Sequence, residues 1–159
     1  MPNTAAIRVE IWGQPVGVLT ADPATRALAF AYYPTWLEQG IDLAPLTMPV
    51  RAAQRGRVWT FPEIHESFHG LPGWIADALP DDFGNALIDA WMAANGVQKR
   101  AITVLDRLAY MGRRSMGALE FQPEQGPKNS DEDTAPIAMK ALVEEARTII
   151  RGTFDQAKA

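Results

Sequence analysis

The sequence predicts an α+β fold, a small antiparallel β-meander or partly closed sheet packed against three to four helices. Three observations predict it. Short stretches of alternating apolar and polar residues crowd the N-terminal third. Two apolar helical faces then meet at a proline corner, Leu71–Trp91. Finally, an alternating stretch, Met116–Phe121, returns after the helices and can complete the sheet. The expected division is one domain over residues 1–122, a polar linker over 123–135, and an amphipathic helix over 136–159.

Taken in order, Ile7–Trp12 alternates as a half-buried strand should, Gly13–Pro15 supplies a turn, and Val16–Leu19 returns as the second arm of a hairpin. A second turn spans Ala21–Thr25, and Leu28–Tyr33 makes a third strand. Pro34 opens a short helical turn through Trp36 and Leu37 that stops near Gly40. Leu43–Val50, with Pro45 and Pro49, fits an extended edge segment, since proline cannot donate to a central ladder. Arg51–Arg57 then forms a polar loop with three arginines, and Val58–Phe61 another short strand.

In the corner, Leu71, Trp74, Ile75, Ala78 and Leu79 recur at helical spacing, with Pro72 suited to a first helical position. Pro80 breaks that pattern. Asp81 or Asp82 caps a second helix whose apolar positions are Phe83, Ala86, Leu87, Ala90, Trp91 and Ala94, ended by Asn95-Gly96. Both faces are expected to dock on one core. Thr103 caps a third helix carrying Val104, Leu105, Leu108 and Ala109, closed by Gly112. Beyond Pro136, the residues Met139, Leu142, Val143, Ala146, Ile149 and Ile150 mark a last apolar stripe.

Composition excludes several classes. Hydrophobic residues at 47% and charged ones at 21% describe a folded domain rather than a disordered chain. A net charge of −4 argues against non-specific attraction to nucleic acid or anionic membrane. Without cysteine there is no disulfide framework, thiol nucleophile or cysteine zinc site, which is consistent with a cytoplasmic setting. The first residues lack a signal peptide's basic start and apolar core, and no apolar run approaches the ~20 residues that span a bilayer.

Each short motif has a plain reading beside its chemical one. His65-Glu-Ser-Phe-His69 matches H-E-x-x-H, where two imidazoles on one helical face bind zinc and Glu66 acts as general base. Pro62 and Pro72 leave room for two turns at most, and a third ligand would have to be a carboxylate such as Asp77 or Asp89. The plainer reading is a polar turn entering the corner. Gly112–Gly117 has the frame of a phosphate loop but lacks the Lys and Ser/Thr that reach phosphate and magnesium, and it runs from helix to strand. A tight glycine turn with two solvated arginines explains it better. Asp77, Asp81 and Asp82 could pair as carboxylates of a glycosidase or magnesium site, although capping accounts for Asp81 or Asp82 more simply. Charge is also uneven. Residues 70–96 carry four Asp and no Lys or Arg, whereas residues 97–114 carry five Lys/Arg and one Asp. That separation suits either a protein–protein footing or two ordinary solvated faces.

Five blocks, in order, carry a resemblance. They are Val16–Leu19, Phe30–Leu37, Leu46–Val50, Gly70–Gly84 (Gly-Leu-Pro-Gly-Trp-Ile-Ala-Asp-Ala-Leu-Pro-Asp-Asp-Phe-Gly) and Tyr110–Phe121. Together they resemble the N-terminal domain of HipA-type proteins, bacterial toxins of toxin–antitoxin pairs. The resemblance implies a serine/threonine kinase portion C-terminal to this region and a DNA-binding antitoxin partner. The family's Ser/Gly-rich ATP loop, nucleotide-binding lysine, catalytic aspartate and magnesium aspartate have no counterpart here. No catalytic, cofactor or metal residue is therefore carried over, and ATP and magnesium are implied only for the kinase portion. The expected role is a non-catalytic scaffold contacting a kinase portion and an antitoxin, with no direct nucleic acid or membrane contact. A free-standing small subunit of a split system is the alternative, and a zinc hydrolase using His65 and His69 a remote one. Positions matching the family's motifs, and candidates for partner contact, are Leu71, Pro72, Trp74, Asp77, Pro80, Asp81, Gly112, Arg113, Arg114 and Gly117.

Overall fold

The computed structural model describes residues 4–22, 26–53, 57–61, 70–115 and 117–123. Five strands form one open antiparallel sheet: β1 (Ala6–Ile11), β2 (Gln14–Ala21), β3 (Leu28–Tyr32), β4 (Trp59–Phe61) and β5 (Leu119–Pro123), in the order β4-β3-β2-β1-β5. The meander is as expected, and the returning strand pairs with β1, Phe121 opposite Val9. Among the described residues five helices accompany it: α1 (Pro34–Gln39), α2 (Val50–Ala53), α3 (Gly73–Ala76), α4 (Asp82–Ala94) and α5 (Val104–Met111), with a 3-10 turn at Lys99–Ala101. Among the described residues no helix is long and apolar enough to cross a membrane.

The β1–β2 turn lies at Trp12–Gly13 rather than Gly13–Pro15. Ile11 pairs with Gln14, and both turn residues have positive φ (49° and 76°), as a two-residue hairpin loop requires. Pro15 thus falls inside β2. The ladder tolerates it because Val9 faces Gly17 while Glu10 faces Pro15, leaving Val16 as the extra residue of a bulge. Gly17 is needed for contact rather than conformation. A Cβ there would stand 2.4 Å from the Ala31 carbonyl oxygen and 2.5 Å from Phe30 Cζ.

Residues of one parity on each strand build the main core. Ile7, Val9, Leu19, Leu28, Phe30 and Phe121 pack against Trp36, Ile75, Leu105 and Leu108. Phe30 is its centre, edge-on to Tyr32 at 5.0 Å and to Trp74 at 5.4 Å. Full burial of such a ring is worth roughly 1.5–3 kcal/mol.

The segment expected to be an extended edge is instead folded into that core. Residues 43–48 form bends and turns, and Val50–Ala53 is a helical turn where a polar loop was expected. Polar anchors account for the difference. Asp42 Oδ1 accepts from the Val50 amide at 2.6 Å, and the Met48 carbonyl accepts from the Tyr32 hydroxyl at 3.0 Å. Burial, and then the charge of Asp42, push the Tyr32 hydroxyl pKa up to about 12, so it remains a donor. The strands β4 and β5 are the true sheet edges.

The first corner helix is also shorter than its apolar spacing suggests. Only Gly73–Ala76 is helical, with Pro72 as N-cap rather than first residue, and residues 77–79 continue as turns. The Ala78 and Leu79 amides bond to the carbonyls of Ile75 and Ala76, the tighter i→i+3 pattern that often ends a helix. Helix α5 begins as expected at Thr103 and is held by a capping box with Asp106. The expected linker after Pro123, the last amphipathic helix and the His65–His69 motif lie outside the described residues.

Candidate interaction surface

The second corner helix, α4, starts where the capping chemistry places it. Asp81 is the N-cap, its Oδ1 accepting from the Gly84 amide at 2.8 Å. Gly84 suits that cap, since a Cβ there would stand 2.7 Å from Pro80 Cβ. Asn85 Nδ2 adds a bond to the Pro80 carbonyl at 3.1 Å. The proline corner is thereby locked to the first turn of the helix.

Which side of α4 faces the protein is the main correction. Phe83, Leu87 and Trp91, expected to pack on the core, are 73%, 53% and 46% exposed, whereas Ile88 and Met92 are buried. A polar clasp orients the helix. Arg107 of α5 donates from Nη1 to Asn85 Oδ1 at 3.0 Å and from Nη2 to Asp89 Oδ1 at 2.8 Å. Lys99 Nζ reaches Asp89 Oδ2 at 3.0 Å. Hydrogen bonds from Arg107, then Lys99, hold the Asp89 carboxyl below its usual range. At about 100° per residue, Asn85, Ile88, Asp89 and Met92 share one side of the helix, so fixing Asn85 and Asp89 turns the opposite side outward.

That outward side consists of Phe83, Ala86, Leu87, Ala90, Trp91, Ala93 and Ala94, all exposed and none polar. The helix has two charged residues: Asp82 in its first turn, and Asp89 in the clasp. Trp91 is braced by Tyr110 at 5.4 Å between ring centroids, tilted 52°. An aromatic–aliphatic stripe flanked by alanines lets a second element approach closely, and large aromatic side chains of this kind anchor protein interfaces. A contiguous exposed apolar patch on a folded domain is a usual mark of an interaction site.

The sequence-derived candidates divide into three groups. Leu71 is buried and Trp74 half-buried in the core, the Trp74 indole N–H donating to Met48 Sδ at 3.4 Å. Pro72, Pro80 and Asp81 are helix-end residues, and Asp77 is exposed at the end of α3. Gly112, Arg113, Arg114 and Gly117 form the α5–β5 connection. Gly112 has φ 52°, closes α5 through Leu108 and accepts from the Phe121 amide at 3.0 Å. Arg113 pairs with Glu120 at 3.1 Å, and Arg114 is exposed. None of these lies on the outward side of α4. The acidic stretch of the corner and the basic stretch after it meet within the molecule, through Asp89 with Lys99 and Arg107. Among the described residues no group of three His, Cys, Asp or Glu side chains could hold a metal.

A family model described as HipA N-terminal domain matches residues 7–122, well over half of the chain. No curated protein matches it.

Proposed function

The chain belongs to the HipA N-terminal domain family, and on that premise we propose that it is a non-catalytic interaction domain of a HipA-type serine/threonine kinase toxin in a bacterial toxin–antitoxin system. Its partners in this reading are the kinase portion, in the same or a separate chain, and an antitoxin protein. ATP and magnesium belong to the kinase portion, because phosphoryl transfer needs a phosphate cradle and metal ligands that no motif of this chain supplies. A cysteine-free chain suits the reducing cytoplasm in which this reading places it.

The observation that carries the proposal is the outward side of α4. A helix clasped to its own domain by Arg107, yet apolar on the side facing solvent, is stabilised as a complex rather than as a free surface. Phe83, Leu87 and Trp91 are the expected anchors. Their removal should act on affinity far more than on folding, since they bury little within the domain.

Binding of the purified chain to a HipA-type kinase portion from the same genome tests this. Leu87→Asp combined with Trp91→Ala should weaken binding at least thirtyfold, the effect of losing a hot spot of about 2 kcal/mol. Unchanged affinity would remove α4 from the interface. Phosphorylation of itself or of a protein substrate by this chain alone, with ATP and magnesium, would overturn the non-catalytic reading.

A further inference from the structure

The outward side of α4 reads nearly the same in both directions. Phe83, Leu87 and Trp91 stand four residues apart, so an aromatic, a leucine and an aromatic make one row about 12 Å long. Ala86, Ala90 and Ala94 run beside it at the same spacing. An antiparallel copy, turned about a two-fold axis at Leu87, sets Leu87 against Leu87 and each Phe83 against the Trp91 of the other copy. Such aromatic pairs gain more than their buried area alone gives, and the alanine row lets the two backbones come close.

Charge selects the same direction. Asp77, Asp81 and Asp82, all exposed, gather at the N-terminal end of α4, while the exposed Lys99 and Arg100 follow its C-terminal end. In a parallel pair the two Asp82 carboxylates would lie at one height. In the antiparallel pair they are about 15 Å apart along the axis, beyond the screening length of ~8 Å. Each acidic end then runs toward the basic end of the other copy. Access is open, because α4 meets its own domain through α5 and the Lys99–Ala101 turn and stands at the margin of the molecule.

We propose that α4 docks on the α4 of a second copy of this chain, as a two-fold antiparallel dimer that hides this surface from the kinase portion. The inference rests on the reading of α4 as the docking surface and names what regulates it. Phe83, Leu87 and Trp91 cannot anchor both contacts at once, so dimer and kinase complex exclude each other. The area makes the dimer weak and reversible. The three large side chains, 73%, 53% and 46% exposed, leave on the order of 350 Å² uncovered. With the alanines the pair buries about 1,000 Å², below the ~1,600 Å² of a standard stable interface. A Kd of order 10–100 μM fits that size.

Sedimentation equilibrium of the full chain across about 5–500 μM brackets that Kd and should show a monomer–dimer equilibrium. Leu87→Asp, on an exposed position, should raise the Kd at least thirtyfold. A monomer throughout the range overturns the proposal, and so does a dimer indifferent to Leu87→Asp or an open-ended series of larger species. The direction is read by cross-linking, for which a chain without cysteine is suited. Both substitutions that follow keep the three large anchors. Symmetry about Leu87 puts two Ala90 positions about 9 Å apart along the axis and two Ala94 positions about 21 Å apart. A short bismaleimide should therefore join copies of Ala90→Cys at least tenfold faster than copies of Ala94→Cys. Equal rates, as a parallel pair would give, overturn the antiparallel assignment. Added HipA-type kinase portion should convert the dimer into complexes holding one copy of each. A chain that stays monomeric yet binds the kinase portion through α4 overturns this inference alone. A dimer that binds the kinase portion without opening supports this inference and overturns the kinase reading of α4.

Discussion

Asp106 joins two distant parts of the chain, Thr4 and the start of α5, through one buried carboxylate. Its Oδ2 accepts from the Thr103 amide and hydroxyl, both at 2.9 Å, while its Oδ1 accepts from the Thr4 amide at 3.0 Å. Burial pushes its pKa up, but the hydrogen bonds from Thr103 and Thr4 outweigh that and hold it below the usual carboxylate range. The sign of the pH dependence follows. A lowered folded-state pKa contributes stability that is complete above the unfolded value of about 4 and is lost as pH falls through the folded value. Asp106→Ala should therefore cost about 2 kcal/mol at pH 7, from a lost cap and unsatisfied amides, and the gap should narrow as pH drops below about 4. Urea denaturation of both chains at pH 7 and in acid checks this, and a gap that does not change with pH would reject it. At the opposite extreme, Gly17→Ala adds one methyl where no space exists, and should cost about 1–3 kcal/mol in the same assay. Thr103 was legible as a helix start, but nothing local in the sequence shows that Thr4 would share the Asp106 carboxylate. That contact spans 102 positions.

At the scale of elements, strands and helix starts were legible because their causes are local: alternation in β1 to β3, Asp81 and Thr103 as caps, Gly40 as a stop. The misplaced elements were decided by distant partners. Tyr32 and Asp42 fold residues 42–50 inward against the extended preference of their prolines. Arg107 sets the rotation of α4, a choice that apolar periodicity cannot make when both sides of a helix are apolar. The future contact surface was thus legible as residues and illegible as a surface: Phe83, Leu87 and Trp91 were singled out, but as core. Substitution distinguishes the two orientations. Ile88→Ala should cost about 2–4 kcal/mol, whereas Leu87→Ala should stay within about 0.5 kcal/mol of the parent. Equal costs in thermal or urea unfolding would mean that α4 is rotated from the orientation described.

For the whole molecule, the main core joins all five strands to α1, α2, α3 and α5, and α4 stands outside it. Ile88 and Met92 do not belong to the central cluster, and the helix meets the rest of the domain through α5 and the Lys99–Ala101 turn. Such an element opens on its own at lower free energy than the sheet that carries the core, since opening exposes few buried side chains and leaves the strands paired. Native-state hydrogen exchange should therefore show the α4 amides exchanging at least tenfold faster than those of β1 and β2, a difference of about 1.4 kcal/mol or more. The Asp89–Arg107 clasp keeps that opening above simple fraying, so Arg107→Ala should bring α4 exchange closer to that of an exposed turn while leaving β1 and β2 protected. A partner seated on Phe83, Leu87 and Trp91 acts oppositely, because it binds only the closed helix and slows α4 exchange by the factor 1 + [L]/Kd. Equal protection of α4 and the sheet in the free domain would show that the helix is an integral part of the core. A surface that is both apolar and free to open is stabilised by the partner it binds, and this links the weak tethering of α4 to its proposed use.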